Sequence, residues 1–406
     1  MKEETRRQLS LFLVLFQTMG LRFFQGIGIL CLILIILLNL KNFRYLNQIR
    51  KPSNVYIISF LMLGILYLKN SNLTFIANMG FIILSSVLVI LNYRKSSNAF
   101  VDDLEKVLII MCGYSLISYI MINALPFLRV QWDLTWYAHF YTIGYIFWNQ
   151  YLPEDAFMRM SGAFWEAGCC CLAFNILLLI FIHKRVKKKW FAFAVLGVIL
   201  TYSTAGLACL TLNALNYVYL HKKNTLKTSI FVAIFAVIAV PFIVGNFEDK
   251  LKGDHSTSGI VRQRDFAIGA TLTLRHPLIG VVAETEALQN NREANEIEDA
   301  VWAANGIFNW TDSGYMLGGF TNGIFGALLN YGIIIGLLLF VQIYRSPLIN
   351  NEKINKKVFY AIFLAALIGE PLSATTLFLI LSLSNWILPQ QKSVKRIVRQ
   401  IETYTV

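Results

Sequence analysis

Arginine and carboxylate side chains occur together at two places in an otherwise apolar sequence of 406 residues. The first is the segment 159–166, which starts with Arg159, ends with Glu166 and leads into an apolar run. The second is the polar stretch 246–313, whose arginines are Arg262, Arg264, Arg275 and Arg292. A guanidinium is a planar fork of donors that matches phosphate oxygens and stays charged at working pH. Such a cluster outside a membrane predicts a lipid-linked phosphate or diphosphate ligand.

Each of these groups also has a structural explanation. The arginines of the long polar stretch could pair with its acids, Asp254, Asp265, Glu284 and Glu286, and hold it together. A carboxylate that begins a membrane span is costly without water or a partner, which favours a site at Glu166, but a helix N-terminus also favours negative charge. If residues 262–264 are helical, Arg262 and Arg264 point about 200° apart and share one anion only if it is large.

The elements that must position these groups are membrane helices. Mean hydropathy is +0.57, 56% of residues are apolar and 15% are charged, which is far from a soluble composition. We predict an all-α polytopic membrane protein, with residues 1–406 as one integral membrane domain and external loops at 127–162 and 246–313. About twelve transmembrane helices are predicted, at 8–21, 24–40, 54–68, 74–92, 107–126, 163–182, 190–202, 206–220, 229–245, 318–344, 358–370 and 373–388.

Charge predicts the orientation of the spans. Most of the 36 Lys and Arg residues fall in alternate connections, which places those connections and both termini in the cytoplasm. Acidic residues fall mainly on the other side. The net charge of +13 therefore reflects topology and attraction to anionic membrane lipid, and nucleic acid is not an expected partner.

The loop 127–162 is rich in aromatic residues. Trp132, Trp136, Tyr137, Phe140 and Tyr141 lie close together, as in an interfacial helix that sits among lipid headgroups or in a platform for sugar rings or a lipid tail. The six cysteines lie in apolar stretches without a Cys-x-x-Cys pair, so neither disulfide nor zinc is predicted.

Several short motifs occur in a fixed order. They are Arg159-x-x-Gly-x-Phe-x-Glu166, Ser203-Thr-x-Gly206, Arg264-Asp265, His276-Pro-Leu-Ile-Gly280, Thr311-Asp312-Ser-Gly-Tyr315, Thr321-Asn-Gly323 and Gly332-x-x-x-Gly336. In this order they resemble the Wzy-type O-antigen and exopolysaccharide polymerases, within the superfamily that includes the O-antigen ligases. The motifs span about 160–336, and the predicted topology extends the resemblance to nearly the whole chain.

The resemblance implies a GT-C-like glycosyltransferase of the bacterial inner membrane that needs no metal or cofactor. It would move a growing glycan from undecaprenyl diphosphate to a new lipid-linked repeat unit on the external face. Arginines would stabilise the leaving diphosphate, and a carboxylate or imidazole would take the acceptor proton. The expected diphosphate ligands are Arg159, Arg262, Arg264 and Arg275; the expected proton acceptors are Glu166, Asp312 and, third, His276, which precedes a proline and could simply shape a turn.

Other functions compete with polymerisation. The ligase branch carries a histidine where this chain has Thr321, which favours polymerase over ligase. A flippase or other transporter is expected to carry charge near the midplane and two repeated halves, neither of which the sequence shows. A non-catalytic scaffold for envelope assembly remains a third class. Polysaccharide chain-length regulators and flippases are expected partners in each case.

Overall fold

The computed structural model describes residues 2–21, 26–69, 71–135, 138–151, 158–220, 256–283, 285–306 and 320–389. Within these ranges the chain is mostly helical. The α-helices, numbered here in chain order, are α1 Glu3–Met19, α2 Ile27–Leu38, α3 Pro52–Leu68, α4 Leu73–Leu91, α5 Ala99–Ala124, α6 Ala167–Lys184, α7 Lys188–Leu200, α8 Thr204–Leu220, α9 Ser256–Arg275, α10 Thr285–Gln289, α11 Arg292–Ala304, α12 Gly323–Tyr344, α13 Lys356–Gly369 and α14 Thr376–Ile387. Short 3-10 helices occupy Leu40–Gln48, Pro126–Leu128 and Leu372–Ala374.

Four of the described helices, α4, α5, α6 and α12, are long and apolar enough to cross a membrane. A fifth span exists if α2 and Leu40–Gln48, which meet at 69°, form one bent crossing. Apolar helices of this kind fit a membrane-embedded protein. The predicted count of twelve is not reached in the described part of the chain, and the predicted span 229–245 lies outside it.

Helix length explains the lower count. Each of the other eleven predicted spans overlaps a helix, but seven of these helices have only 12 to 17 residues, whereas about 20 residues cross a hydrocarbon core. Polar residues end some of them early. Asn39, which follows α2, is buried and donates to Ser10 Oγ and Ile35 O, and its Oδ1 accepts from Asn92.

The loop 127–162 contains a small three-stranded sheet, which corrects the interpretation of this segment as an interfacial helix. The described chain is otherwise mostly helical and fits the predicted all-α membrane protein. Strands β1 Val130–Thr135, β2 Ala138–Ile143 and β3 Phe147–Tyr151 pair antiparallel in the order β1-β2-β3. Phe140 and Trp148 pack on Leu21, and Tyr141 stacks on Tyr151 with ring centroids 4.1 Å apart. Side chains in a strand alternate between two faces, and the residues of this segment follow that period. Aromatic residues are common in strands as well as at the headgroup level, so their density fits a sheet.

Helix α12 is broken at Gly332, where φ is 76° and ψ is 165°. The break separates two groups that a regular helix would pair: Ile333 N donates to Pro277 O at 2.8 Å, and Leu329 O accepts from Lys69 Nζ at 2.7 Å. The turn 276–280 fills the break so closely that a Cβ on Gly332 would stand 2.0 Å from the carbonyl oxygen of Leu278. The break and the turn therefore form one unit in which Ile333 N and Leu329 O both find new partners.

Helix α6 is the centre of the bundle. It is buried along most of its length, between α5, α7, α8 and α13. Close approach depends on glycines: a Cβ on Gly197 would meet the Phe174 ring at 2.2 Å, and one on Gly206 would meet Cys171 Sγ at 1.6 Å. At its C-terminal end Lys184 pairs with Asp102 at 2.7 Å and with Glu105. The N-terminus of α6 is thereby fixed in position, and the polar cleft opens there.

Candidate active site

A small polar cleft lies where α6 and α8 begin, α13 ends and α9 passes. Its volume is about 50 Å³, enough for a few waters or the end of a substrate. It is lined by Arg159, Glu166, Gly168, Leu172, Asn175, Ser203, Ala205, Gly206, Cys209, Arg262, Ala366, Gly369 and Glu370. Three predicted site residues therefore meet in one place, although more than a hundred positions separate the first from the last.

Glu166 stands at the start of α6 as its N-cap residue, in extended backbone conformation. The side chain makes no capping hydrogen bond to the backbone N–H groups of the first turn. Capping, the structural alternative for this residue, therefore does not occupy the carboxylate. Glu166 is half-buried and faces the cleft. The helix dipole favours its negative charge, so it is placed to accept a proton or to orient a hydroxyl group.

Glu370 lies beside Glu166 and was not among the predicted site residues. It follows α13 and is 7% exposed. Burial raises the pKa of the Glu370 carboxyl well above its ordinary value, and the nearby Glu166 carboxyl raises it further. Glu370 Oε2 is 3.6 Å from Cys169 Sγ. The two carboxyl groups have unlike surroundings, one buried and one open to the cleft, and burial favours the neutral form of Glu370.

Two arginines from different segments, Arg159 and Arg262, line the cleft. Arg159 precedes a turn that Asn149 of β3 holds, since Asn149 Nδ2 donates to Arg159 O at 2.8 Å and its Oδ1 accepts from Ser161 N at 2.9 Å. Arg262 is exposed on α9, and its charge lowers the pKa of Glu370, opposing the effect of burial. A pair of arginines beside a pair of carboxyls can bind a phosphate-bearing group and take a proton next to it.

No family model, curated protein or solved structure matches this chain. Among the described residues, no cluster of three or more His, Cys, Asp and Glu side chains could hold a metal ion.

Arg264 is placed away from the cleft. Residues 262–264 are helical, so the two guanidinium groups diverge, and Arg264 is buried with 2% exposure. Its Nη2 is 2.7 Å from Asp265 Oδ1, and its Nη1 is 3.4 Å from Glu298 Oε1. Asp265 Oδ2 in turn accepts from Thr321 N at 2.7 Å. This buried network joins α9, α11 and the start of α12, which matches the structural alternative for this arginine and leaves it inaccessible to a diphosphate.

Arg275 and His276 are also remote from the cleft. Arg275 ends α9 thirteen residues after Arg262, about 20 Å along the helix. Its side chain is exposed and pairs with Glu293 at 3.0 Å, and His276 Nε2 is 3.8 Å from the same carboxylate. The backbone of His276 begins the turn that fills the α12 break. This position agrees with the alternative that His276 shapes a turn. Asp312 lies outside the described residues.

Sequence reasoning missed Glu370, Ser203 and Asn175 as members of one cleft. Asn175 Nδ2 donates to Gly206 O at 3.1 Å and so holds α8 against α6, while Ser203 Oγ accepts from Gly206 N at 3.3 Å. A signal existed for Glu370, since it is an acid between two apolar runs. Asn175 gave the same kind of signal within an apolar helix. Only the packing of α13 against α6 brings Glu370 to Glu166.

Proposed function

We propose that this protein is a membrane glycosyltransferase that uses a lipid diphosphate as leaving group, and specifically a polymerase of lipid-linked oligosaccharide repeat units. Two observations support this proposal. The ordered motifs resemble the Wzy-type polymerases, and the cleft brings Arg159, Arg262 and Glu166 together. The cleft carries the proposal, because these groups are the two parts that such a transfer needs: cations for a diphosphate and a base for an acceptor.

The cations act on the leaving group. As the anomeric C1–O bond to the diphosphate breaks, positive charge grows on the sugar and negative charge on the departing oxygen. Arg159 and Arg262 reach the cleft from different elements, so they can hold the two phosphates of one diphosphate. Preorganised donors of this kind lower the barrier without moving during the reaction.

The carboxyl pair acts on the acceptor. A hydroxyl of the incoming repeat unit attacks C1, the new O–C1 bond forms, and the hydroxyl proton passes to Glu166. Undecaprenyl diphosphate leaves with the electrons of the broken bond. Burial raises the pKa of the Glu370 carboxyl and favours its neutral form, and Glu166, which faces the cleft, is the carboxylate that we assign as proton acceptor. The cleft admits only the reacting end of a substrate, and the rest of the glycan and the lipid would lie outside it.

The position of the cleft agrees with chemistry on the external side of the inner membrane, in a GT-C-like arrangement. Helix α6 starts at the cleft and ends 18 residues later at Lys184, about 27 Å away. The basic residues at that far end are the type that stays cytoplasmic. With that orientation the cleft, the sheet and helices α9 to α11 share the external side.

Polymer profiling in a deletion strain tests this proposal. The strain is complemented with wild type, Arg159→Ala, Glu166→Ala, Arg262→Ala or, as a matched control, Arg292→Ala, at equal protein levels in the membrane. Arg292 is 92% exposed and pairs with Glu296 outside the cleft. We expect the three cleft variants to lose long polymer while single lipid-linked units persist on the outer leaflet, and Arg292→Ala to behave as wild type.

Other outcomes assign other functions. Units that accumulate on the inner leaflet would indicate a flippase. Long lipid-linked polymer that is made but not transferred would indicate a ligase. Normal polymer in all three cleft variants would contradict a catalytic cleft and favour a scaffold.

A further inference from the structure

A second cavity, of about 340 Å³, lies at the opposite end of α13 from the cleft. It is lined by Arg50, Lys51, Arg345, Pro347, Asn350, Lys356 and Asn385. Lys356 begins α13 and Gly369, which lines the cleft, ends it, so the two sites are about 20 Å apart along this helix. The proposed transferase chemistry makes no use of this cavity.

The described lining of this cavity is cationic. Seven described residues line it, of which four are Arg or Lys and none is acidic. In the described part of the chain, none of these four has a carboxylate partner within 4.0 Å. Asp102 is already paired with Lys184 and with Lys353, which lies three residues before Lys356. Four like charges around one cavity repel one another unless an anion lies between them.

The fold fixes the backbone positions from which these side chains extend. Backbone N–H groups of Arg50 and Lys51 donate to Ile387 O and Trp386 O, at 3.2 and 2.8 Å, which ties their segment to the end of α14. Lys356 Nζ lies 4.4 Å from the centroid of the Tyr344 ring. Arg345 is the C-cap residue of α12. The cations therefore come from three separate elements that converge, which is how a binding site is built and is unlike a run of charge on one solvated face.

We propose that this cavity binds a phosphate-bearing anion, either the headgroup of an anionic phospholipid or a soluble phosphorylated compound. Arg50 and Arg345 supply planar forks suited to phosphate oxygens, and Lys51 and Lys356 supply point charges. Asn350 and Asn385 add amide groups at the wall. By the charge of its surroundings the cavity belongs to the cytoplasmic side, where anionic lipid headgroups are abundant.

Titration of the purified full chain tests this. The protein is stripped of lipid in a neutral detergent at fixed ionic strength. Thermal unfolding is then followed with inorganic pyrophosphate in one arm and phosphatidylglycerol in the other. The variants are Arg345→Gln and Lys356→Gln, with Lys357→Gln as a matched control because Lys357 is the exposed neighbour and does not line the cavity. Arg262→Ala reports on anion binding at the cleft.

We expect at least one probe to stabilise the wild type, with half-maximal concentration raised about tenfold in Arg345→Gln and in Lys356→Gln. Lys357→Gln and Arg262→Ala should keep the wild-type response at this site. A response to pyrophosphate supports a soluble ligand, and a response to phosphatidylglycerol alone supports a lipid headgroup. No response to either probe overturns the proposal. So does a response that Arg262→Ala abolishes and both cavity variants keep. If Lys356→Gln does not fold, Arg345→Gln compared with Arg292→Gln decides the question.

Discussion

Gly168 leaves the space that the carboxyl group of Glu370 occupies: a Cβ on Gly168 would stand 1.9 Å from Glu370 Oε1. Gly168 lies in the first turn of α6, two positions after Glu166, whereas Glu370 follows the end of α13. This contact brings the two carboxyls together. It also explains why a glycine is needed at a helix start, where its flexibility would otherwise cost stability.

Gly168→Ala should therefore displace Glu370 and damage the cleft. We expect a loss of about 1–3 kcal/mol in unfolding free energy from overpacking, together with reduced transfer activity. Gly113→Ala is the matched control, because a Cβ at Gly113 meets nothing within 4 Å and alanine favours the helix. Thermal unfolding of both variants measures the effect. Equal stability in the two would contradict the close packing of residue 168 on Glu370.

Glutamine substitutions should separate the two carboxyls. Gln imitates a protonated Glu, so Glu370→Gln should keep most of the transfer activity, because burial raises the pKa of this carboxyl and favours its neutral form. Glu166→Gln removes the proton acceptor and should lower the rate about 100-fold or more. The measurement is the rate of polymer formation from purified lipid-linked units. A Glu370→Gln variant as inactive as Glu166→Gln would show that the roles are shared or reversed.

The arginines of α9 should divide by position. Arg262→Ala should reduce the transfer rate about 100-fold, as loss of one transition-state donor does elsewhere. Arg275→Ala should change it only a few-fold, because an exposed ion pair contributes about 0–1 kcal/mol and Arg275 lies far from the cleft. The same purified assay compares the two. A larger effect at Arg275 than at Arg262 would place the diphosphate at the other end of the helix.

Apolar runs with polar ends predicted where eleven of the described helices lie, because such runs record burial directly. Helices α9, α10 and α11 lie in the polar stretch that was predicted as an external loop. The sequence did not predict how many helices are long enough to cross a membrane, since helices such as α2 and α14 are apolar but only 12 residues long. The sheet at 130–151 was missed because aromatic residues suit both a headgroup belt and a strand. Its alternation was the available signal: Phe140 and Thr142 are buried, whereas Tyr141 between them faces the other side.

The cleft was predictable in part. The motifs and the arginine cluster of the polar stretch together selected Arg159, Glu166 and Arg262, which share it, and also Arg264 and Arg275, which do not line it. Whether an arginine of α9 lines the cleft depends on the direction of its side chain around the helix and on its distance along the helix. A charge pattern does not show which face of α9 packs against the cleft. Glu370 joins the cleft through a contact between α13 and α6, about two hundred positions apart in the chain.

Arg264 should contribute more to the free energy of unfolding than to substrate binding. Arg264→Leu leaves Asp265 and Glu298 buried without their cation, and burial already raises the pKa of Glu298. We expect a loss of about 3–5 kcal/mol in unfolding free energy. Arg292→Ala, an exposed arginine in the neighbouring helix α11, should cost little. If Arg264→Leu retains wild-type stability and loses only substrate binding, the diphosphate role first expected for Arg264 would be supported.

Lys69 should make stability depend on pH. Its amine lies at the end of α3 and donates to the carbonyls of Leu329 and Asn330 at the α12 break, and burial lowers its pKa from 10.5 to about 7. A neutral amine keeps two N–H groups, so both hydrogen bonds survive deprotonation. Between pH 7 and 10.5 the unfolded chain binds a proton that the folded chain does not, so the free energy of unfolding rises with pH in this window.

Below pH 7 both states are protonated, and the cost of burying the charge is present in full. Thermal unfolding from pH 6 to 9 should therefore show wild type gaining stability relative to Lys69→Met, whose residue 69 does not titrate. Lys357→Met, which removes an exposed lysine, should follow the wild-type curve. Parallel curves for wild type and Lys69→Met would mean that the Lys69 amine titrates near its ordinary value. The closure of the helix break would then rest on a charged lysine.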